Sequence, residues 1–158
     1  STDDFEKLIK KNFTQCWKFF LDFQMPYALK GKKFYGDLEI FMIISIIIYN
    51  QNLNIRKNSL NVTSKDSFDE EYIKNLNNMN VDNGVNAMTI SDMTGIPRPT
   101  VLRKLNKILK KKLIIKDKNN LYGLADKYEN LKTFNDLRLD TVKRLSKMMA
   151  KFYNFVNN

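Results

Sequence analysis

Residues 89–124 read TISDMTGIPRPTVLRKLNKILKKKLIIKDKNNLYGL, and the fold depends on how this stretch divides. Thr89 is expected to cap a short helix, with Asp92 returning the bond to the cap's own N–H and Ile90 and Met93 supplying an apolar side. Gly95 ends that helix. A second helix is expected from Pro97, whose fixed φ suits a first turn, with Val101, Leu105, Ile108 and Leu109 at helical spacing toward a core. Its other face carries Arg98, Thr100, Arg103, Lys104 and Lys107. After Lys110, Lys111 and Lys112, the segments Leu113–Ile115 and Leu121–Leu124 read as two strands around the turn-forming tip Asp117–Asn120.

Charge separates a generic helix pair from a phosphate-tracking one. The 158-residue chain has a net charge of +10. Between Ile96 and Asn120 nine lysines and arginines face a single acid, Asp117, a local charge of +8. A basic surplus confined to one helix and its neighbouring hairpin is the footprint of a surface that follows a nucleic-acid backbone. The competing reading is a solvated lysine-rich helix. A cap, a glycine turn and a hairpin in this order favour the first.

With these residues named, the stretch resembles the helix-turn-helix of winged-helix transcriptional regulators, especially of the MarR and IclR kinds. The likeness rests on Thr94-Gly95-Ile96 followed by Thr100-Val101 and Arg103, and on the basic run before Leu113-Ile114. It implies a mainly α fold with a small β-hairpin wing. It also implies that Arg98, Pro99 and Thr100 stand at the groove-entering end of the second helix, with Arg103 and Lys104 one turn on; Lys107, on the same basic face, is expected to join them. Thr89 on the first helix and Lys116, Lys118, Asn119 and Asn120 on the wing complete the expected double-stranded DNA contacts. Leu102 offers an apolar contact to a thymine methyl or packs inward. Two features depart from the family pattern: the wing carries no arginine, and a long polar segment separates Gly36–Asn50, expected as the first helix of the domain, from Thr89.

The outer limits come from length and residue usage. The length suits one domain, or one domain with helical arms. A lone Cys16 makes no internal disulfide, so a reducing cytoplasm is the expected location, and no secretory leader is legible at Ser1. Absence of histidine removes the commonest metal ligand and general base, so neither enzyme chemistry nor a cofactor is expected. The apolar run Ile40–Tyr49 is about half a membrane span and is expected as a helix buried on all sides. Asp37 and Glu39 read as first-turn acids favoured by its dipole.

Both termini are patterned. Phe5, Leu8, Ile9, Phe13, Cys16, Trp17, Phe20 and Leu21 fall on one helical stripe, with Asp3 and Glu6 as its capping box. Val142, Leu145, Met149, Phe152 and Val156 make a heptad-like seam, joined by Phe134, Leu137 and Phe155. In the family it resembles, first and last helices build the dimer. A homodimer is therefore expected, with Phe13, Trp17 and Phe20 against Leu145, Met149 and Phe152, in preference to packing within one chain. The organisation that follows is an N-terminal arm over 1–35, a DNA-binding domain over 36–125 with a polar insertion at 51–86, and a C-terminal dimerisation helix over 126–158. Within the insertion, Gln51–Lys65 reads as a loop, and Tyr72, Ile73, Leu76 and Met79 as one short helix.

Other candidate chemistry is thin. Cys16 beside Trp17 suits a small core residue better than a sensor. The aromatics Trp17, Phe20, Phe23, Tyr27, Phe34 and Tyr35 suit core packing better than a pocket for a small-molecule effector. The reading that results is a homodimeric, sequence-specific double-stranded DNA-binding protein that regulates transcription. Two alternatives stay open: a plasmid or phage replication-initiation or partition protein using the same motif, and a winged-helix module that docks protein.

Overall fold

The computed structural model describes residues 1–58, 84–125 and 132–157, leaving aside the side chains of 52–58 and 132–135. The described residues form eight elements, in order α1 Thr2–Lys11, α2 Phe13–Tyr35, α3 Leu38–Asn58, α4 Ala87–Thr94, α5 Arg98–Lys110, β1 Ile114–Lys116, β2 Tyr122–Leu124 and α6 Lys132–Asn157. The fold is mainly helical with one small antiparallel sheet, and no described helix is long and apolar enough to cross a membrane.

The core collects where α3, α4, α5 and the hairpin meet. Ile43, Ile44 and Ile47 of α3, Ile90 of α4, Val101, Leu105 and Ile108 of α5 and Ile114 of β1 lose essentially all contact with solvent. Each such side chain is worth about 1.5–3 kcal/mol relative to an exposed one. The run Ile40–Tyr49 is not enclosed on all sides, because Met42 and Tyr49 remain exposed. A single helix can turn only one broad stripe toward α4 and α5. Nor do residues 51–58 begin a loop: α3 continues through Asn58. The expected helix around Tyr72–Met79 lies outside the described residues.

β1 and β2 pair with Ile114 opposite Leu124, Ile115 opposite Gly123 and Lys116 opposite Tyr122. Asp117 closes the turn by accepting from the N–H groups of Asn119 (2.8 Å) and Leu121 (2.7 Å), and Asn120 takes the left-handed conformation such tips favour. Val85, just before α4, adds an isolated bridge to Tyr122 with bonds of 3.0 and 2.9 Å. No alternation in the sequence announces that bridge.

The N-terminal stripe is broken. Asn12 leaves the helical conformation (ψ 33°) and separates α1 from α2. Asp4, accepting from the Ser1 hydroxyl at 2.9 Å, replaces the expected Asp3–Glu6 box; Glu6 pairs with Lys10 instead. α1 buries none of its residues. In the first half of α2 the buried residues are Cys16 and Phe19, while Phe13, Trp17 and Phe20 form an exposed ladder with ring centroids 5.7 and 5.1 Å apart.

α6 runs antiparallel along α2. Phe19 meets Phe152 and Phe155 edge-on at 5.4 and 6.0 Å, Asp22 pairs with Lys151, and Lys30 with Asp140. Phe152 is thus occupied within its own chain, contrary to its expected place in a dimer seam. Leu139, Val142, Leu145, Met149, Tyr153 and Val156 form a second, exposed stripe. That stripe and the α2 ladder each lie about a quarter to a third of a turn from the facing side chains, in the sense that puts both on one side of an antiparallel pair.

Where α2 approaches α3, Gly31 leaves room for the Phe41 ring: an added Cβ would lie 2.5 Å from two of its carbons. Gly36 follows at φ 80°, a left-handed stop to α2 that no β-carbon hinders.

Candidate nucleic-acid interface

Each residue of the Thr94-Gly95-Ile96 step has a physical task. Gly95 sits at φ 70° and donates to Ser91 O at 2.8 Å, closing α4. The Thr94 hydroxyl donates to Ile90 O (2.6 Å) and accepts from the Ile96 N–H (3.3 Å), and the Ser91 hydroxyl donates to Ile96 O (2.7 Å). Ile96 itself is buried. The turn is therefore fixed from both sides, which sets the angle at which α5 leaves. The cap of α4 is Asn86, whose side chain accepts from the Thr89 N–H at 2.8 Å, and not Thr89 with Asp92. Thr89 stands one turn inside the helix, half-exposed. α5 starts one residue later than expected, with Pro97 as its cap and Pro99 within its first turn.

α5 buries Val101, Lys104, Leu105 and Ile108. Arg98, Pro99, Leu102, Arg103, Asn106, Lys107 and Lys110 are exposed, and Thr100 is half-exposed at the edge. Arg103, Asn106 and Lys110 fall on a single outward line. Asn106, a residue able to pair bidentately with adenine, escapes a reading that follows charge alone. Its position one turn from Arg103 is the signal that finds it. Lys116, Lys118, Asn119 and Asn120 are exposed on the hairpin, with the Lys116 ammonium 5.8 Å from the centroid of the Tyr122 ring. Lys111 and Lys112 bridge the two elements. Lys112 adopts φ 56°, with its N–H on Leu109 O and the Leu113 N–H on Ile108 O.

Lys104 does not belong to this surface. It lies on the inner side of α5, its side chain 9% exposed, with its ammonium donating to Asp37 and, at 2.7 Å, to Glu39. Asp37 also caps α3 through its other oxygen, which accepts from Glu39 N–H (2.8 Å) and Ile40 N–H (3.3 Å). The Lys104 hydrogen bond holds the Asp37 carboxyl below the ordinary carboxylate range. For Lys104, burial alone favours the neutral amine, but its bonds to Asp37 and Glu39 outweigh that and raise its pKa. Lys104 turns inward because it is three residues after Val101 and four before Ile108, on the stripe the core claims. Eight cations remain exposed on α5 and the hairpin, and none of them is ion-paired to a described acid.

The six aromatics considered for an effector pocket split into two groups. Trp17 and Phe20 belong to the exposed ladder, whereas Phe23 stacks on Tyr27, and Tyr27 and Tyr35 pack on Phe41. One of the six, Phe34, lines an open cleft of about 510 Å³ with Lys30 and Lys33 of α2 and Asp136 and Leu137 of α6. Cys16 is buried in α2. Among the described residues no group of metal-ligating side chains assembles.

Comparison with family models, characterised proteins and solved structures finds no match to this chain.

Proposed function

We propose that this chain is a winged-helix protein of the MarR or IclR kind that binds double-stranded DNA as a homodimer and regulates transcription without chemistry of its own. One observation carries the reading: the outward face of α5 presents Arg98, Arg103, Asn106, Lys107 and Lys110, and the adjoining hairpin adds Lys116 and Lys118, all exposed and without acidic partners among the described residues. α5 would lie in a major groove, with Arg103 and Asn106 at base edges and Leu102 near a thymine methyl. The hairpin, short and without arginine, suits backbone contact. A second copy related by a two-fold through the exposed α2 and α6 stripes would bring a second α5 to the next groove, roughly 34 Å away on a pseudo-palindromic site.

Duplex binding measured against salt tests this. If about six of the exposed cations reach phosphates, the slope of log K against log salt is about −5. Arg103→Ala should then cost about 1–3 kcal/mol and relax base preference, whereas Lys118→Ala should weaken every sequence alike. Affinity that stays flat with salt removes the reading.

A further inference from the structure

We propose that Lys104 is the positioning residue of α5: clamped between Asp37 and Glu39 at the start of α3, it fixes the rotation of the helix about its own axis and thereby which side chains meet the base edges. The inference rests on the DNA-binding reading above.

The other inward residues of α5 are Val101, Leu105 and Ile108. Burial of Val101, Leu105 and Ile108 turns one side of α5 toward α3, but aliphatic contact is non-directional, so it sets the rotation only to within the breadth of that stripe. A charge-assisted hydrogen bond is short and directional, and here it has a fixed anchor. Asp37 is itself pinned, because one of its oxygens caps α3 while the other receives Lys104. A single carboxylate thus joins the first turn of one helix to the middle of another, 67 residues on. Arg103 is the next residue round from Lys104, so whatever rotates one rotates the other. At about 6 Å from the helix axis a rotation of about 20° moves a side-chain atom by about 2 Å, enough to break a hydrogen bond of ordinary length. A buried ion pair is poor evidence of stability, since an apolar pair of the same volume often does as well; setting register is its best-attested use.

The probes are a duplex enriched by the wild-type protein from a random-sequence pool and a scrambled duplex of the same composition. Two variants separate the roles: Lys104→Met, which fills the same space without charge, and Asp37→Asn, which keeps an α3 cap and removes the anchor. The expected result is that both fold and keep the wild-type salt slope, that the scrambled duplex is bound at least as well by Asp37→Asn and slightly more weakly by Lys104→Met, which loses a positive charge, and that both lose about tenfold or more of the preference for the enriched duplex. For Asp37→Asn the sign is decisive. Deleting an acid from a DNA-binding protein should tighten binding generally, so lost preference arises through α5 alone. A salt slope made shallower by about 0.9 in Lys104→Met, with both duplexes weakened equally, would show a phosphate contact and overturn the proposal. Unchanged preference in Asp37→Asn would overturn it too, leaving the pair to the stability of the fold. A wild type that binds no duplex salt-dependently defeats the underlying reading before either variant is made.

Discussion

Replacing Gly31 by Ala sets two effects of known sign against each other. Gly31 lies inside α2, where alanine is favoured over glycine by up to about 1 kcal/mol. On propensity alone the substitution stabilises. The new methyl, however, would lie 2.5 Å from Cδ2 and Cε2 of Phe41 and 2.8 Å from Cγ, against the body of the ring and not its flexible end. Contact at normal distance requires the ring to retreat by about 1 Å. It has little room, being 9% exposed and held between Tyr27 and Tyr35 with centroids at 5.2 and 6.0 Å. Overpacking of this kind costs about 1–3 kcal/mol, so after the gain in propensity the expected net loss is about 1–2 kcal/mol, or a fall in Tm of roughly 2–8 °C at this chain length. Urea and thermal unfolding measure it, and the double variant Gly31→Ala/Phe41→Leu supplies the control. If the ring is the obstacle, the two changes couple favourably, since leucine vacates the space the methyl needs. A Gly31→Ala protein as stable as wild type, or additive behaviour in the double variant, would show that α2 moves away from α3 at little cost and that glycine here is not required by packing.

Lys112→Gly should raise stability by about 1 kcal/mol, because a left-handed φ of 56° strains lysine and suits glycine; chemical unfolding that shows a loss instead would refute the strain. Asp37 and Asp140 are both held below the ordinary carboxylate range, Asp37 by Lys104 and Asp140 by Lys30 and then Arg144. Their stabilisation is therefore present above pH about 4 and lost as pH falls through the depressed values. Asp37→Asn should make that acid decline shallower, and an identical pH profile would contradict the pairing; Lys104, whose pKa is raised, should hold its contribution until pH passes above the ordinary lysine value. For the proposed homodimer, Phe13, Trp17, Phe20 and Tyr153 with the five exposed aliphatic side chains of α6 offer roughly 800 Å² per protomer, the amount a standard interface buries. Trp17→Asp with Met149→Asp should give a folded monomer by light scattering, whereas a wild type near 18.7 kDa at tens of micromolar would rule the dimer out.

What the chain determines locally is legible in one dimension. Gly95 ends α4 because its backbone needs a positive φ, Asp117 and Asn120 turn the hairpin, and the spacing of Val101, Leu105 and Ile108 turns one side of α5 inward; all of these act within a few residues. The exposed face of α5 follows from the same spacing, except where charge misleads, as at Lys104. There the stripe position points inward and the ammonium points to solvent, and only an acid far earlier in the chain resolves the conflict. The same holds for the terminal helices. Periodicity marks Phe13, Trp17, Phe20 and Phe152 as apolar side chains needing cover, but Phe19 was invisible as the residue that meets Phe152, since both α2 and α6 carry more apolar surface than one stripe. Which stripe is buried depends on the partner helix and its direction, an outcome of long-range packing that no local pattern encodes. Gly31 shows it most simply: in sequence it is a weak point of a helix, and only Phe41, brought across from α3, makes it a fit.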